Sequence, residues 1–157
     1  MAQVTMKGSD AISASLAECF VTIGDNRYNF MQMINFEATI TKNKTTVPIL
    51  GQTGRGNKAN GWTGVFRGKA HYNQSIFRQL LMEYKETGED IYFDIQVTNS
   101  DSASSVGAQT VIFTGCNIDG GVLAAFDAEG DYLSENITGT FEDFKMPKKF
   151  KLLDGMV

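Results

Sequence analysis

The sequence predicts a mostly β protein, a β-sandwich or open barrel with one flanking α-helix. Three observations predict this fold. Several segments alternate apolar and polar residues with the period of a strand, and only one has helical spacing. Glycine is frequent, at 16 of 157 residues, whereas proline occurs twice, which suits strands joined by tight turns. The third is a length and composition suited to one domain with its own core.

The chain begins with small and polar residues, and we predict a flexible arm over residues 1–12. The β-rich runs 16–23 and 28–33 flank Gly24-Asp25-Asn26, which predicts a β-hairpin. The predicted domain spans residues 13–150, and residues 151–157 form a C-terminal tail. No apolar signal segment or membrane-spanning run is present in the sequence, so we expect synthesis in a cytoplasm and no membrane anchor.

Alternation predicts the next two strands. The first runs from Ile34 to Lys42, with Phe36, Ala38 and Ile40 on one face. Residues 45–50 after it are extended, and Pro48 there indicates an edge strand or an exposed arm. Residues 62–72 form the second, where two glycines within the strand indicate a bulge or a close backbone approach.

The segment between these strands, Gly51–Gly61, has four glycines, two cations and no large apolar side chain. We therefore predict that residues 51–61 form a loop that is mobile or ordered by a partner. Gly51 and Gly56 have P-loop spacing, but Asn57 stands where lysine is needed. The relaxed dinucleotide pattern from Gly54 is followed by a strand instead of a helix, so nucleotide binding is not favoured.

Helical spacing occurs once, from Gln74 to Thr87. Its apolar stripe consists of Ile76, Phe77, Leu80, Leu81 and Tyr84. Asn73 or Ser75 can cap the start, and Gly88 occupies the position of a C-terminal capping glycine.

The rest of the chain predicts further strands, to a total of seven or eight. Residues 91–98 alternate, residues 110–118 resemble a buried strand, and residues 132–144 alternate again. The polar faces of the alternating strands either meet bulk water or line a pore. The polar residues in question are Glu37, Thr39, Thr41, Asp94, Gln96, Thr138, Thr140 and Glu142.

No catalytic constellation is evident in the sequence. His71 is the single histidine, the acidic segment 127–131 lacks the ligand spacing of a calcium loop, and neither cysteine lies in a catalytic signature. We therefore expect no enzyme activity, no metal and no cofactor. Cys19 and Cys116 lie among apolar or β-branched residues and are predicted to be buried thiols.

The net charge of −4 argues against nucleic-acid binding, which needs clustered cations. Within this acidic chain, Lys42, Lys44, Arg55 and Lys58 form a locally basic segment. It is either a solvated loop or a contact for an acidic patch on an identical neighbour, which suits head-to-tail assembly.

Four segments resemble the tail tube protein family of contractile-tailed phages, phage-tail-like bacteriocins and defective prophages. They are residues 34–44 followed by 47–51, the loop through Arg55 and Lys58 to Gly64, the helix with residues 80–85 followed by 92–94, and the ending Thr138–Pro147, which includes Phe-Glu-Asp-Phe. The likeness spans about residues 12–150.

This resemblance implies hexameric rings that stack into a hollow tube, with loop 42–61 reaching the neighbouring ring. The implied partners are further copies of the chain, the sheath, tape-measure, baseplate and tail-terminator proteins. With Glu37, Asp94 and Glu142 on the polar strand faces we expect an acidic lumen, which would repel the DNA backbone, so that DNA passes through the lumen of a true phage without specific binding. The implied location is a virion tail or phage-tail-like particle, assembled in the bacterial host cytoplasm. The implied contact residues are Lys42, Lys44, Gly51, Arg55, Lys58, Asn60 and Trp62, and the polar-face residues above become candidates for the lumen.

An alternative is a non-catalytic β-sandwich module that binds carbohydrate or another tail component. Trp62, Tyr72 and Tyr92 are the candidates for an aromatic platform in that case.

Overall fold

The computed structural model describes residues 3–157, and it confirms a mostly β fold with one α-helix and an antiparallel sheet that is not closed. Within those residues, no helix has the length and apolar character needed to cross a membrane. The elements are a 3-10 helix Gly8–Asp10, β1 Ala17–Ile23, β2 Asn26–Asn29, β3 Met33–Pro48, β4 Arg55–His71, α1 Ile76–Thr87, β5 Phe93–Ser100, β6 Ala108–Gly120, β7 Ser134–Phe141 and β8 Asp143–Lys148.

The chain divides into two compact units, each built from separated segments. One unit contains the described residues up to Met31 together with Tyr92–Gly115 and Asp143–Val157. The other contains Gln32–Ile91 and Cys116–Glu142. Strand β6 contributes to both, and Gly115, with a φ of 64°, is the last residue of its first part.

The first unit has the strand order β2-β1-β5-β6-β8. The predicted hairpin is confirmed as β1 and β2, with Val21 opposite Tyr28. On its other side Val21 lies opposite Ile95 of β5, and both side chains are buried. Strand β8, which the sequence pattern did not indicate, pairs with β6 so that Phe144 lies opposite Phe113.

The second unit has the order β3-β4-β7-β6, with β3 at the end of the sheet. The alternation predicted for β4 and β7 is confirmed, because Phe66, Ala70, Ile137 and Phe141 are buried while their neighbours in sequence are exposed or half-buried. Pro48, the last residue of β3, thus lies on an edge strand as predicted. Such a position tolerates a residue without a backbone N–H.

The strand glycines permit close packing, as predicted. A Cβ on Gly68 would lie 2.7 Å from Cε of Met33 and 2.8 Å from the carbonyl oxygen of Asn35. Pairing of β3 with β4 shifts register between Met33 and Asn35, beside this contact. Glycine therefore lets the two backbones approach where the ladder is irregular.

Helix α1 begins at Ile76, two residues later than predicted. Ser75 occupies the N-cap position, but its side chain makes no capping hydrogen bond. The predicted C-terminal cap is confirmed: Gly88 has a φ of 73°, and its N–H donates to the carbonyl of Tyr84 at 2.8 Å. Four residues of the apolar stripe are half-buried, whereas Tyr84 is exposed.

Arg78 attaches this helix to the sheet. Its guanidinium lies 4.3 Å from the ring centroid of Tyr72 and pairs with the carboxylate of Glu135, the second residue of β7. It also donates to the carbonyl of Gln74 and, at 3.4 Å, to that of Val122. The Arg78 and Glu135 side chains are largely buried, at 17% and 11% exposure, so this pair is shielded from water.

Both terminal segments belong to the first unit. Asp10 accepts hydrogen bonds at Oδ1 from the backbone N–H and the hydroxyl of Ser105, at 3.0 and 2.8 Å. The predicted arm therefore has its last residues tied to the loop between β5 and β6, while residues 1 and 2 lie outside the described part of the chain. Near the other end Gly155 contacts the side chain of Val4.

Candidate assembly surfaces

The segment predicted to be an extended loop is a β-hairpin. We call residues 42–62 the arm. Lys44 lies opposite Ala59 and Pro48 opposite Arg55, so regular pairing continues almost to the tip. A β ladder is held by backbone hydrogen bonds, which require no large side chains, and β3 supplies β-branched residues at positions 45–47. The lack of large apolar side chains in residues 51–61 therefore did not indicate a loop, and the loop prediction is wrong for all but residues 49–54.

The arm is exposed along its whole length. From Thr39 to Thr63 every residue is exposed except Gly56, which is half-buried. At the tip Leu50 is fully exposed, at 103%, and Val47 and Ile49 are also exposed. A two-stranded ribbon in water is marginally stable alone, so this arm is suited to receive contacts from another molecule.

The predicted contact residues have different roles within the arm. Gly51 has a φ of 83°, a conformation that glycine adopts without strain at the turn. Asn60 donates from Nδ2 to the hydroxyl of Thr45 at 2.8 Å, across the ribbon. Trp62 packs against Phe141 with ring centroids 6.1 Å apart, at the base of the arm. The four cations Lys42, Lys44, Arg55 and Lys58 are exposed.

Charge is segregated over long stretches of the chain, beyond the basic segment of the arm. Residues 38–82 contain seven Lys and Arg and no Asp or Glu, whereas residues 86–144 contain twelve Asp and Glu and no Lys or Arg. The arm lies inside the basic stretch. The second stretch includes the β6–β7 loop, where Asp127, Glu129 and Asp131 are exposed. Such asymmetry favours contacts between unlike surfaces of identical chains.

Five predicted lumen residues lie on one face of the β3-β4-β7 sheet. Arg67 of β4 lies between Glu37 and Thr138, and Val65 lies between Thr39 and Thr140. Thr41 continues the β3 row, opposite Thr63. Directly opposed residues of antiparallel strands project to the same side, so this is one continuous face.

The face is of mixed charge, not acidic as the sequence analysis expected. Arg67 pairs with Glu37 at 3.1 Å, and both side chains are mostly exposed, at 72% and 57%. Lys69 lies two residues further along β4 on this face, and Asp119 lines a shallow groove together with Glu37, Arg67 and Thr138. The expectation considered β3 and β7 without the strand between them, and β4 places its cations on the same face.

The remaining lumen candidates lie elsewhere. Asp94 and Gln96 are on β5, in the other unit, where Gln96 accepts a hydrogen bond from Arg27 at 3.4 Å. Arg27 also lies over the ring of Phe20, which is opposite Gln96. Glu142 is exposed between β7 and β8. A lumen position for these three residues stays a prediction.

Trp62 and Tyr72 do not form the aromatic platform predicted for the binding-module alternative. Ten residues of extended chain separate them, or about 33 Å at the rise of a strand. Tyr72 lies under the guanidinium of Arg78, and Trp62 packs on Phe141. Tyr92 is exposed in the other unit.

The single histidine and the two cysteines lie in structural environments. Among residues 3–157, no three or more His, Cys, Asp and Glu side chains are placed to hold a metal ion. His71 packs against Tyr132 with ring centroids 5.4 Å apart. Cys116 is fully buried and Cys19 half-buried, and burial raises the pKa of Cys19 to about 11, which lowers the thiolate fraction of Cys19 at neutral pH.

The fold is that of tube proteins in phage tails and contractile injection systems. The structure matches a chain of the anti-feeding prophage baseplate with a TM-score of 0.64 at 10% identity, covering 93% of this chain and 97% of that one. It matches a chain of the sheath-tube complex of an extracellular contractile injection system, PVC, with a TM-score of 0.61 at 13% identity and coverage of 82% and 86%. A chain of the SPP1 tail tube gives a TM-score of 0.60 at 6% identity and coverage of 94% and 81%.

The chain belongs to the phage tail tube protein family, whose model matches residues 4–148. It is 35% identical over 114 residues to the phage-like element PBSX protein XkdM of Bacillus subtilis (strain 168), covering 73% of this chain and 78% of that protein. It is 34% identical over 116 residues to the protein YqbM of the same strain, with coverage of 74% and 79%. The protein is thus a structural tube subunit of a phage or phage-like tail, as the sequence resemblance implied.

Proposed function

We propose that six copies of this chain form a ring, and that rings stack through the arm into a hollow tube inside a contractile sheath. The chain catalyses no reaction in this role. Its partners are further copies of itself, the sheath protein, the tail terminator, the baseplate and a tape-measure protein. Family membership and the likeness to chains of sheath-tube and baseplate assemblies support this proposal.

The observation that carries the proposal is the arm. It is a paired ribbon with an apolar tip and four exposed cations, and neither strand buries a residue between Thr39 and Thr63. Ordering such a ribbon costs conformational entropy that its own contacts do not offset well. Docking of the arm on a neighbouring subunit supplies the missing burial.

The open edge of the sheet supports the same proposal. Among residues 3–157, strand β3 is at the end of the sheet order, so its outer edge has no partner strand in the single chain. Exposed edges invite strand pairing with other chains. Closure of a ring removes this liability, and the mixed-charge face of β3, β4 and β7 is our candidate for the channel lining.

The test is to shorten the arm at a paired position. Lys42 lies opposite Trp62, so replacement of Asn43–Gly61 by Asn-Gly keeps both strand bases and closes them with a two-residue turn. We expect the variant to fold as judged by circular dichroism, and to form no tubes by negative-stain electron microscopy at concentrations where the original chain forms them.

The matched control is Asp25→Asn, in the turn of the β1–β2 hairpin, which should leave tube formation unchanged. Normal tubes from the shortened variant would remove the arm from the mechanism. Failure of the original chain to form rings or tubes, even with its sheath and tape-measure proteins, would contradict the proposed function itself.

The lumen candidates outside the β3-β4-β7 face require a separate test. In a DNA-carrying particle, Asp94→Lys with Glu142→Lys would add cations that attract the DNA backbone. We expect slower DNA ejection if these side chains face the channel. Ejection at the original rate would place them outside it.

A further inference from the structure

The loop between β6 and β7 presents an uncovered surface with the opposite character to the arm. We call residues 122–132 the acidic loop. Its large apolar side chains are well exposed, at 70% for Leu123, 92% for Phe126 and 63% for Tyr132. Three exposed carboxylates, Asp127, Glu129 and Asp131, alternate with small residues between Phe126 and Tyr132.

This loop is held in place at several points. Arg78 donates to the carbonyl of Val122 at its start, and Tyr132 packs against His71 at its end. Within it, Asp127 accepts from the N–H of Glu129 at Oδ1, at 3.1 Å, and its carbonyl accepts from the N–H of Gly130 at 3.2 Å. The exposed rings and carboxylates are therefore displayed on a scaffold attached to the helix and the sheet.

We infer that the acidic loop is the docking site for the arm tip of a second copy of this chain. This inference rests on the proposed function and names the receiving surface for the arm. The apolar tip, with Leu50 at 103% exposure, matches Leu123 and Phe126 in character. Arg55 and Lys58 at the arm match the three carboxylates in charge.

The charge distribution favours a second copy of this chain as the partner of the acidic loop. The arm lies in a stretch without acidic residues, and the acidic loop lies in one without basic residues. Two arms or two acidic loops repel each other, so the favoured contact joins unlike surfaces. Each such contact leaves one free arm and one free acidic loop on the pair, and head-to-tail addition can continue into a ring or a stack.

A second acidic surface provides a matched comparison. Glu83, Glu86, Glu89 and Asp90 lie at and after the end of α1, and are exposed. Lys85 lies among them, and the apolar side chains there, Met82 and Tyr84, are less exposed than Phe126, at 52% and 53%. The acidic loop is therefore the better match for the arm, whose tip is apolar and whose charged residues are all basic.

The test is a charge exchange between the two surfaces. We expect Arg55→Glu with Lys58→Glu to block tube assembly, and Glu129→Lys with Asp131→Lys to block it separately, while both remain folded. Asp127 is left intact because it shapes the loop. The four substitutions together should restore assembly, whereas Glu86→Lys with Glu89→Lys should not rescue the arm variant.

A cross-linking measurement applies whether or not tubes form. Leu50→Cys protein is mixed with Phe126→Cys protein under mild oxidation, and heterodimers are counted by mass. Both proteins also carry Cys19→Ser, and Cys116 is fully buried, so the native thiols do not compete. We expect several-fold more heterodimer than from Leu50→Cys with Met82→Cys.

The outcomes separate the two proposals. Tubes lost in the arm variant but retained in the acidic-loop variant would leave the proposed function standing and overturn this inference. Equal cross-linking at positions 126 and 82 would also overturn it. Absence of tubes from the original chain together with selective cross-linking at 126 would contradict the stacked tube and support the arm contact.

Discussion

Gly64 of β4 lies directly under the ring of Phe141 of β7. A Cβ on Gly64 would lie 2.5 Å from Cζ of that ring, which is a steric clash. Phe141 is 5% exposed and also contacts Trp62, so the ring has little freedom to move. The missing side chain at Gly64 is therefore part of the packing of the second unit.

We predict that Gly64→Ala lowers the free energy of unfolding by about 1–3 kcal/mol, the usual cost of overpacking a core. The measurement is urea denaturation followed by fluorescence. The control is Gly120→Ala at the end of β6, where a Cβ meets no atom within 4 Å. Equal effects of the two substitutions would show that the close contact carries no energetic weight.

Arg78 and Arg67 form the two ion pairs of the second unit, in opposite environments. Arg78→Met leaves the carboxylate of Glu135 buried without its partner, so we expect a loss on the order of 3 kcal/mol. Arg67→Met removes a pair exposed to solvent and should cost less than about 1 kcal/mol. The melting temperatures of both variants are compared by thermal unfolding. Similar values would contradict the expectation that the buried pair contributes more to stability than the exposed one.

The contact of Asp10 with Ser105 predicts a pH dependence for the N-terminal segment. Hydrogen bonds from the backbone N–H and then the hydroxyl of Ser105 lower the pKa of Asp10 below its ordinary value of 3.8, and nearby Lys7 contributes. Because the folded pKa is the lower one, the contact stabilises the docked segment above pH 3.8. That contribution is lost as the pH falls through the folded value.

Limited proteolysis or hydrogen exchange at residues 7–13 measures this release. We expect protection at pH 6 and its progressive loss as the pH falls below the ordinary carboxyl value of 3.8. Asp10→Asn keeps an acceptor that does not titrate, so its protection should change less with pH. The same pH profile in both proteins would assign the release to other groups.

The raised pKa of Cys19 predicts slow alkylation. At pH 8 a thiol of pKa about 11 has roughly one hundredth of the thiolate of one at the ordinary value of 9.0. Iodoacetamide labelling of the folded chain should therefore be about 100-fold slower at Cys19 than in urea. Peptide mass spectrometry distinguishes it from Cys116, and fast labelling of Cys19 in the folded chain would contradict its burial.

Strands with one buried face were predictable from the sequence. Phe66, Ile137 and Phe141 alternate with polar residues, and burial imposes that period on any half-buried strand. Helix α1 was predictable from its apolar stripe and from Gly88, whose left-handed conformation ends it.

The arm and the charge of the sheet face were not predictable in the same way. Residues 42–61 bury almost nothing, so no hydrophobic period marks them as strands, and backbone pairing alone holds them. The ion pair of Glu37 with Arg67 depends on which strands are neighbours and in what register. Strand β8 was missed because all six of its residues are exposed.

The contact of Val4 with Gly155 brings the beginning and the end of the described chain together on one unit. A reporter or cargo fused to either end would therefore leave the subunit from the same place. A short linker between residues 4 and 155 should allow a circular permutant that opens elsewhere, such as the exposed β1–β2 turn at Gly24 and Asp25. The subunit can in this way be redesigned to display a peptide at a chosen position while its original ends are joined.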